Sequence, residues 1–372
     1  MDMKTIFRFG LIALAALAMS SCAKETVVDQ VNPDTPIEFG TYLGRAAQTN
    51  GSVATMDAAA VGLQAPGFGV YGYYTNGADY TSDLKPNFMV NEQMTYSADK
   101  WTYSPVKYWP NETNDKLSFF AYAPYYDGTA ATENITAVST KGASGDPTVT
   151  FAVATDVTKQ IDLLYASASN QTKPNVGTST TLNFQHALSR VGFKGQVLAD
   201  IKNEDATGTD DDSTAGAGTL APGTKVVINN ITLAGNFYTG GTLNLNTGVF
   251  TGAGSSASYS LALTDIQISE LTNTTESGLL NKTSEYMMLI PRDDVTMSVT
   301  VDYDVITTDD ALDGGESKIN NVITSSDFTL SLEKGKAYTL VLHIGLKSVE
   351  LSAQVTDWAE QDETAVNVPV LS

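Results

Sequence analysis

Met297-Ser-Val-Thr-Val-Asp-Tyr-Asp-Val305 is the stretch on which the fold turns. Met297, Val299, Val301, Tyr303 and Val305 alternate with Ser298, Thr300, Asp302 and Asp304. A period of two sends one set of side chains to a core and the other to water, which is the signature of a half-buried β-strand. The same pattern recurs on both sides. Phe328, Leu330 and Leu332 alternate with polar residues, and so do Val349, Leu351, Ala353 and Val355. Near the N-terminus, Ile37, Phe39 and Leu43 are set against Glu38, Gly40 and Tyr42. Turn residues separate the runs. Asn246-Thr247-Gly248 divides Thr242–Leu245 from Val249–Phe250, and Glu333-Lys334-Gly335-Lys336 reads as a hairpin loop between two strands. No long stretch carries a helical period, and Ala54 to Val61 supports a short helix at most. Regular short strands with glycine-rich turns predict an all-β protein built of sandwiches.

A chain of 372 residues is too long for one small β-domain and comfortable for two. The expected division is a leader at 1–21, a tether at 22–36, a first sandwich at 37–178 and a second at 179–372. Two loops, Lys141 to Pro147 and Asn203 to Pro222, read as long and disordered. The leader is read from Lys4 and Arg8, the apolar run Phe9 to Met19, and the small residues Ser20 and Ser21 before Cys22. Cys22 is the sole cysteine, so no disulfide forms within the chain. A single thiol at this one position points to lipidation. Several acyl chains, at about 0.8 kcal/mol per buried methylene, then hold the protein at a membrane. No later segment is long and apolar enough to span one.

The formal net charge of −21 at pH 7 repels phosphate backbones and argues against nucleic acid as a partner. Catalytic signatures are missing. His186 and His343 lie far apart inside strand-like runs and read as structural, and no G-x-S-x-G, H-E-x-x-H or P-loop motif occurs. Asp210-Asp211-Asp212 and the run Asp309-Asp310…Asp313-Gly314-Gly315-Glu316 lack the ligand spacing of an EF-hand and read as solvated loops. No cofactor is expected. Aromatic residues cluster at Trp101, Tyr103, Tyr108 and Trp109, followed by Phe119, Phe120, Tyr122, Tyr125 and Tyr126. They fill a core or form a sugar-stacking platform, and the core is the favoured reading. Beyond the leader the only arginines are Arg45, Arg190 and Arg292. Arg45 alone stands at a strand end before a polar, small-residue stretch, where proteases cut.

Taken together, these features resemble the fimbrillin-like proteins of Bacteroidetes, the type V pilins and their relatives. The residues that carry the resemblance are Met19-Ser20-Ser21-Cys22, which resembles a lipobox, and Trp101-Thr-Tyr-Ser-Pro-Val-Lys-Tyr-Trp-Pro, followed by Leu117-Ser-Phe-Phe-Ala-Tyr-Ala-Pro. Ile161-Asp-Leu-Leu-Tyr-Ala, Leu182-Asn-Phe-Gln-His-Ala-Leu-Ser and Val355-Thr-Asp-Trp358 complete the set. The resemblance implies two tandem transthyretin-like β-sandwich domains, export as an outer-membrane lipoprotein through Cys22, and incorporation into cell-surface fimbriae as a structural subunit or tip component that supports adhesion. For polymerising members it further implies removal of the first strand (Ile37, Phe39, Leu43) by an arginine-specific protease, at a position that matches Arg45–Ala46 here. The emptied groove would then accept a strand from another fimbrial subunit. Val366, Val368 and Val370 alternate at the C-terminus and form the candidate donor strand. In the bland alternative this tail completes its own domain. A surface glycan-binding lipoprotein, with the aromatic cluster as its platform and a host or bacterial glycan or protein as its partner, is the second functional expectation.

Overall fold

A computed structural model describes residues 35–42, 61–128, 134–174, 179–197, 224–267, 278–281, 285–345, 349–358 and 368–369. Cys22, Leu43, Arg45, Ala46, Val366 and Val370 lie outside the described residues, as do the leader, most of the tether, residues 54–60 and the loop from 203 to 222.

The first half of the chain runs through β1 (Glu38–Tyr42), a single helical turn α1 (Val61–Gln64), β2 (Phe68–Tyr74), β3 (Met89–Ser97), β4 (Lys100–Thr102), β5 (Leu117–Ala123), β6 (Ile135–Val138), β7 (Thr148–Ala152), β8 (Leu164–Gln171), β9 (Ser179–Asn183) and β10 (Gln185–His186). The second half supplies β11 (Ser189–Val197), β12 (Thr224–Gly235), β13 (Gly240–Asn244), β14 (Phe250–Ala253), β15 (Ala257–Gln267), β16 (Met287–Leu289), β17 (Arg292–Thr308), β18 (Glu316–Thr324), β19 (Phe328–Leu332), β20 (Lys336–Ile344), β21 (Val349–Asp357) and β22 (Val368–Pro369).

The centre of the first half is a six-stranded sheet in the order β10-β8-β5-β2-β3-β4. Its middle strands β2 and β5 are buried on both faces almost throughout. That is why Leu117-Ser-Phe-Phe-Ala-Tyr-Ala reads as a near-continuous apolar run rather than an alternating one. Phe68, Val70, Leu117 and Phe119 point into a core shared with Phe39 and Leu182 of the parallel pair β1-β9 and with Ile37 and Phe184 that flank it. Tyr71, Tyr73, Phe120 and Tyr122 point the other way, toward a four-stranded sheet in the order β14-β13-β7-β6.

The second half forms a sandwich of its own. One sheet has the order β15-β12-β17-β18, with β19 also paired to β17, and the other has the order β16-β11-β20-β21-β22. Met297, Val299, Val301, Tyr303 and Val305 all face its interior, as their alternation requires. The Glu333–Lys336 turn differs from its sequence reading. It joins β19 and β20, which lie in different sheets, so it is a corner between layers and not a hairpin. The Lys141–Pro147 loop is also not the disordered segment expected. Gly145 N–H donates to Leu84 O (3.1 Å), and Asp146 accepts from Tyr80 Oη (2.9 Å), Asn244 Nδ2 (2.8 Å) and Asn246 Nδ2 (3.2 Å).

The halves are interlocked. The β13–β14 hairpin leaves the second half and pairs with β7, with Thr242 opposite Thr150. Its turn packs against Tyr165, and Lys334 Nζ donates to both Tyr165 Oη (2.8 Å) and Gly248 O (3.2 Å). Gly248 has a φ of +66°, and a Cβ there would stand 2.1 Å from Tyr165 Oη, so glycine is required twice over. Residues 179–186, assigned from sequence to the second domain, pair with β1 and β8 and so lie with the first half.

Candidate functional site

The groove that holds β1 is where the sequence-predicted site residues meet the structure. On one side β1 runs parallel to β9, with Glu38 opposite Ser179 and Tyr42 opposite Asn183, and Phe184 N–H donates to Tyr42 O (2.7 Å). On the other side the chain around Lys107 closes over its start. Ile37 N–H donates to Lys107 O (2.8 Å), and Trp109 N–H donates to Thr35 O (2.9 Å). These contacts satisfy backbone groups that a bare sheet edge would leave open.

Side chains seat the strand. Ile37 is 1% exposed and Phe39 5%. The Phe39 ring meets Phe119 edge-on at 5.1 Å between centroids and leans on Tyr103 at 6.1 Å. Behind them Phe68 packs against Trp101 (4.6 Å) and Phe184 (5.3 Å), and Trp109 packs against Phe119 (6.1 Å). Two polar fittings fix the register. Tyr103 Oη donates to Ile37 O (2.8 Å), and Trp101 Nε1 donates to Thr41 Oγ1 (3.1 Å). Burial pushes the Tyr103 hydroxyl up to about 12, so it keeps its proton and remains a donor at neutral pH.

Trp101 and Trp109 are therefore core residues, as are Phe119, Phe120, Tyr122 and Tyr126. Tyr108 is 48% exposed and stands alone among the cluster's rings in being largely open to solvent. The platform on which glycan binding rested is not formed by the two tryptophans.

The C-terminal strand has a different setting. Val368 is opposite Ala353 and Pro369 opposite Ser352, antiparallel at the outer edge of β21. Proline is tolerated at such an edge because it has no amide to give to a next strand. The remaining sequence candidates are engaged structurally. Arg190 lies over the rings of Tyr286 (4.5 Å) and Trp358 (5.1 Å), and Arg292 lies over Tyr238 (4.5 Å) and donates to Asn236 O. The His186 ring stacks on Trp358 at 4.0 Å while its Nδ1 sits 2.7 Å from Asp162 Oδ2. His343 Nε2 is 3.0 Å from Ser352 Oγ. Among the described residues no group of His, Cys, Asp and Glu is placed to hold a metal ion.

Sequence reasoning missed β9 as the partner of β1, and missed Tyr103 and Thr41 as polar fittings. The signal for β9 was in Leu182-Asn-Phe184, whose two apolar residues alternate as a groove wall requires.

The family model for fimbrillin-like proteins matches residues 58–358. The chain belongs to the fimbrillin-like family. A relative of full length is the fimbrium subunit Fim1C of Phocaeicola vulgatus, 24% identical over 96% of this chain and 98% of its own. The crystal structure of a fimbrial protein from Bacteroides vulgatus superposes with a TM-score of 0.64 at 21% identity, covering 87% of this chain and 99% of the other, and so shares the fold. A fimbrillin-like chain is a structural protein of cell-surface fimbriae. Both β1 and β22 fall outside the span of the family model.

Proposed function

We propose that this fimbrillin-like chain is an exported lipoprotein subunit, acylated at Cys22 and matured by cleavage at Arg45–Ala46. It joins other fimbrial subunits by exchanging β1 for a donated strand. The observation that carries this reading is how β1 is held. It is a short strand, seated by Ile37 and Phe39 in a groove whose walls come from β9 and the chain around Lys107. Two anchors contribute on the order of 3–6 kcal/mol, enough to keep β1 in place after a cut and little enough for another strand to replace it. A groove of this kind is completed by β-strand addition. Val366, Val368 and Val370 are the proposed donor residues for a neighbouring subunit, and what supports this is that β22, with Val368, pairs at a sheet edge through two residues.

Limited digestion with an arginine-specific protease tests it. Arg45–Ala46 should be cut while Arg190 and Arg292, inside packed structure, stay whole. The cut chain should then exchange β1 for a labelled strand or for a partner subunit's tail, giving detergent-resistant ladders that Arg45→Ala does not form. Truncation after Trp358 should remove the chain's ability to donate. A cut chain that keeps its β1 in the presence of cognate subunits would sink the reading. Separately, Cys22→Ser should release the protein from the outer-membrane fraction, and full retention there would remove the anchor.

A further inference from the structure

The contacts of β1 specify more than a vacancy for any apolar strand. Phe39 fills a pocket with a ring against Phe119 and Tyr103, at 5.1 and 6.1 Å, and is 5% exposed. Two residues on, Thr41 Oγ1 accepts from Trp101 Nε1, an indole on a residue only 8% exposed. An occupant with a small side chain at the first position leaves a void, and one without an acceptor at the second leaves a mostly buried donor unpaired.

The chain's own tail meets neither demand. Residues 359–372 contain no Phe, Tyr or Trp. If Val366, Val368 and Val370 took the places of Ile37, Phe39 and Thr41, a valine would enter the ring pocket and the indole would lose its acceptor. That frame also puts Pro369 at Gly40. Phe184 N–H bonds Tyr42 O, so the period of a parallel ladder turns the Gly40 amide toward β9, and proline has no such amide. Sliding the tail by two residues brings Ser372 to Thr41, but it puts Pro369 at Glu38, where the same period again turns the amide toward β9, and it leaves Val370 at Phe39. No frame supplies a ring.

We infer that the β1 groove selects a strand with an aromatic residue at the Phe39 register and a hydroxyl two residues later, so that its partner is the strand of a different subunit and not a second copy of this chain. The inference rests on the strand-exchange reading and names the partner at that same groove. It makes the protein a junction between unlike subunits rather than the repeating unit of a homopolymer.

The full chain, cut after Arg45 with β1 still seated, is the receptor in the test, and fluorescent peptides are the probes. They are the β1 sequence (residues 35–43), the same peptide with Phe39→Val, the same with Thr41→Val, and the tail sequence (residues 362–372). Because only the peptides vary, no receptor variant has to fold. Exchange by the β1 sequence is expected to exceed that by Phe39→Val and by the tail about tenfold or more, and that by Thr41→Val about threefold. A tail peptide that exchanges as well as the β1 sequence would overturn the selectivity while leaving strand exchange intact. If no peptide exchanges, the β1 sequence included, strand exchange itself falls and the selectivity with it.

Discussion

The two ends of the molecule hold the strands around their cores in different ways. Around β1 the core is rich in rings (Phe39, Phe68, Trp101, Trp109, Phe119 and Phe184) set among aliphatic side chains, and one wall is a short strand held by few anchors. The second sandwich also buries rings, among them Phe193, Phe237, Tyr259 and Tyr303, but its two central strands carry long aliphatic runs. Val226, Ile228, Ile231 and Leu233 of β12 face the interior beside Val295, Val299 and Val301 of β17. Those two strands pair from Thr224–Thr307 to Gly235–Met297 with one bulge. Removing β12 or β17 would break a ladder shared with neighbours on both sides, whereas removing β1 breaks one parallel pairing and two short lid contacts. A strand can be replaceable only where side chains, not a long ladder, hold it.

The contrast breaks most plainly at the tryptophans. Trp101→Ala or Trp109→Ala should each cost about 3–5 kcal/mol in urea melts, and Tyr108→Ala, at the surface, under about 0.5 kcal/mol. Tryptophan variants that keep wild-type stability and lose sugar binding would turn the first core back into a glycan platform. Next in size is Phe39→Ala, expected to cost about 3 kcal/mol, and to cost it locally. Amide exchange should accelerate in β1 and β9 while β12 and β17 stay protected. Equal loss of protection in both places would mean that the two cores open as one.

Much of this division was legible in the sequence. Strict alternation announced β17 and β21, and the same pattern announced β1 up to Tyr42. Most of the aromatic cluster was correctly read as core, because such rings more often fill a sandwich core or close its end than face solvent; Tyr108 is the exception. The illegible parts are non-local. The parallel pairing of Phe39 with Thr180 spans most of the first half, and no local pattern names the partner. The Glu333–Lys336 turn has hairpin chemistry, yet which sheet each flanking strand joins is decided by packing. The turn at Asn246–Gly248 was legible as a break between two runs, but nothing in Thr242 to Phe250 says that they form a hairpin that crosses to β7.

That crossing offers a third test. Gly248→Ala puts a methyl against the Tyr165 ring at a backbone angle that alanine resists, and should cost about 1–3 kcal/mol. The loss should appear as faster exchange in β13 and β7, at the contact between the halves, with β1 undisturbed. If β1 loosens as well, the first core depends on the second and the contrast between them weakens.

The smallest expected effect is electrostatic and belongs to the second sandwich alone. Asp304 on β17 has a side chain only 4% exposed, accepts from Asn320 Nδ2 (3.0 Å) and stands 2.6 Å from Lys318 Nζ, both on β18. Burial by itself would raise its pKa, but the hydrogen bonds from Lys318 and Asn320 outweigh it and hold the carboxyl below its ordinary value. A carboxyl whose folded pKa lies below its unfolded one adds stability that is fully present above the unfolded pKa, near 4. That stability is lost as pH falls through the lower folded value. Lys318 is 61% exposed, so solvent screens the pair and the gain should be under about 1 kcal/mol. Asp304→Asn should therefore be slightly less stable than wild type at pH 7, and the gap should narrow in strong acid. Exchange in β18 should rise at pH 7 with β1 unchanged. A variant that destabilises equally at both pH values would assign Asp304 a packing role, and β18 would then be held by its ladder to β17 alone.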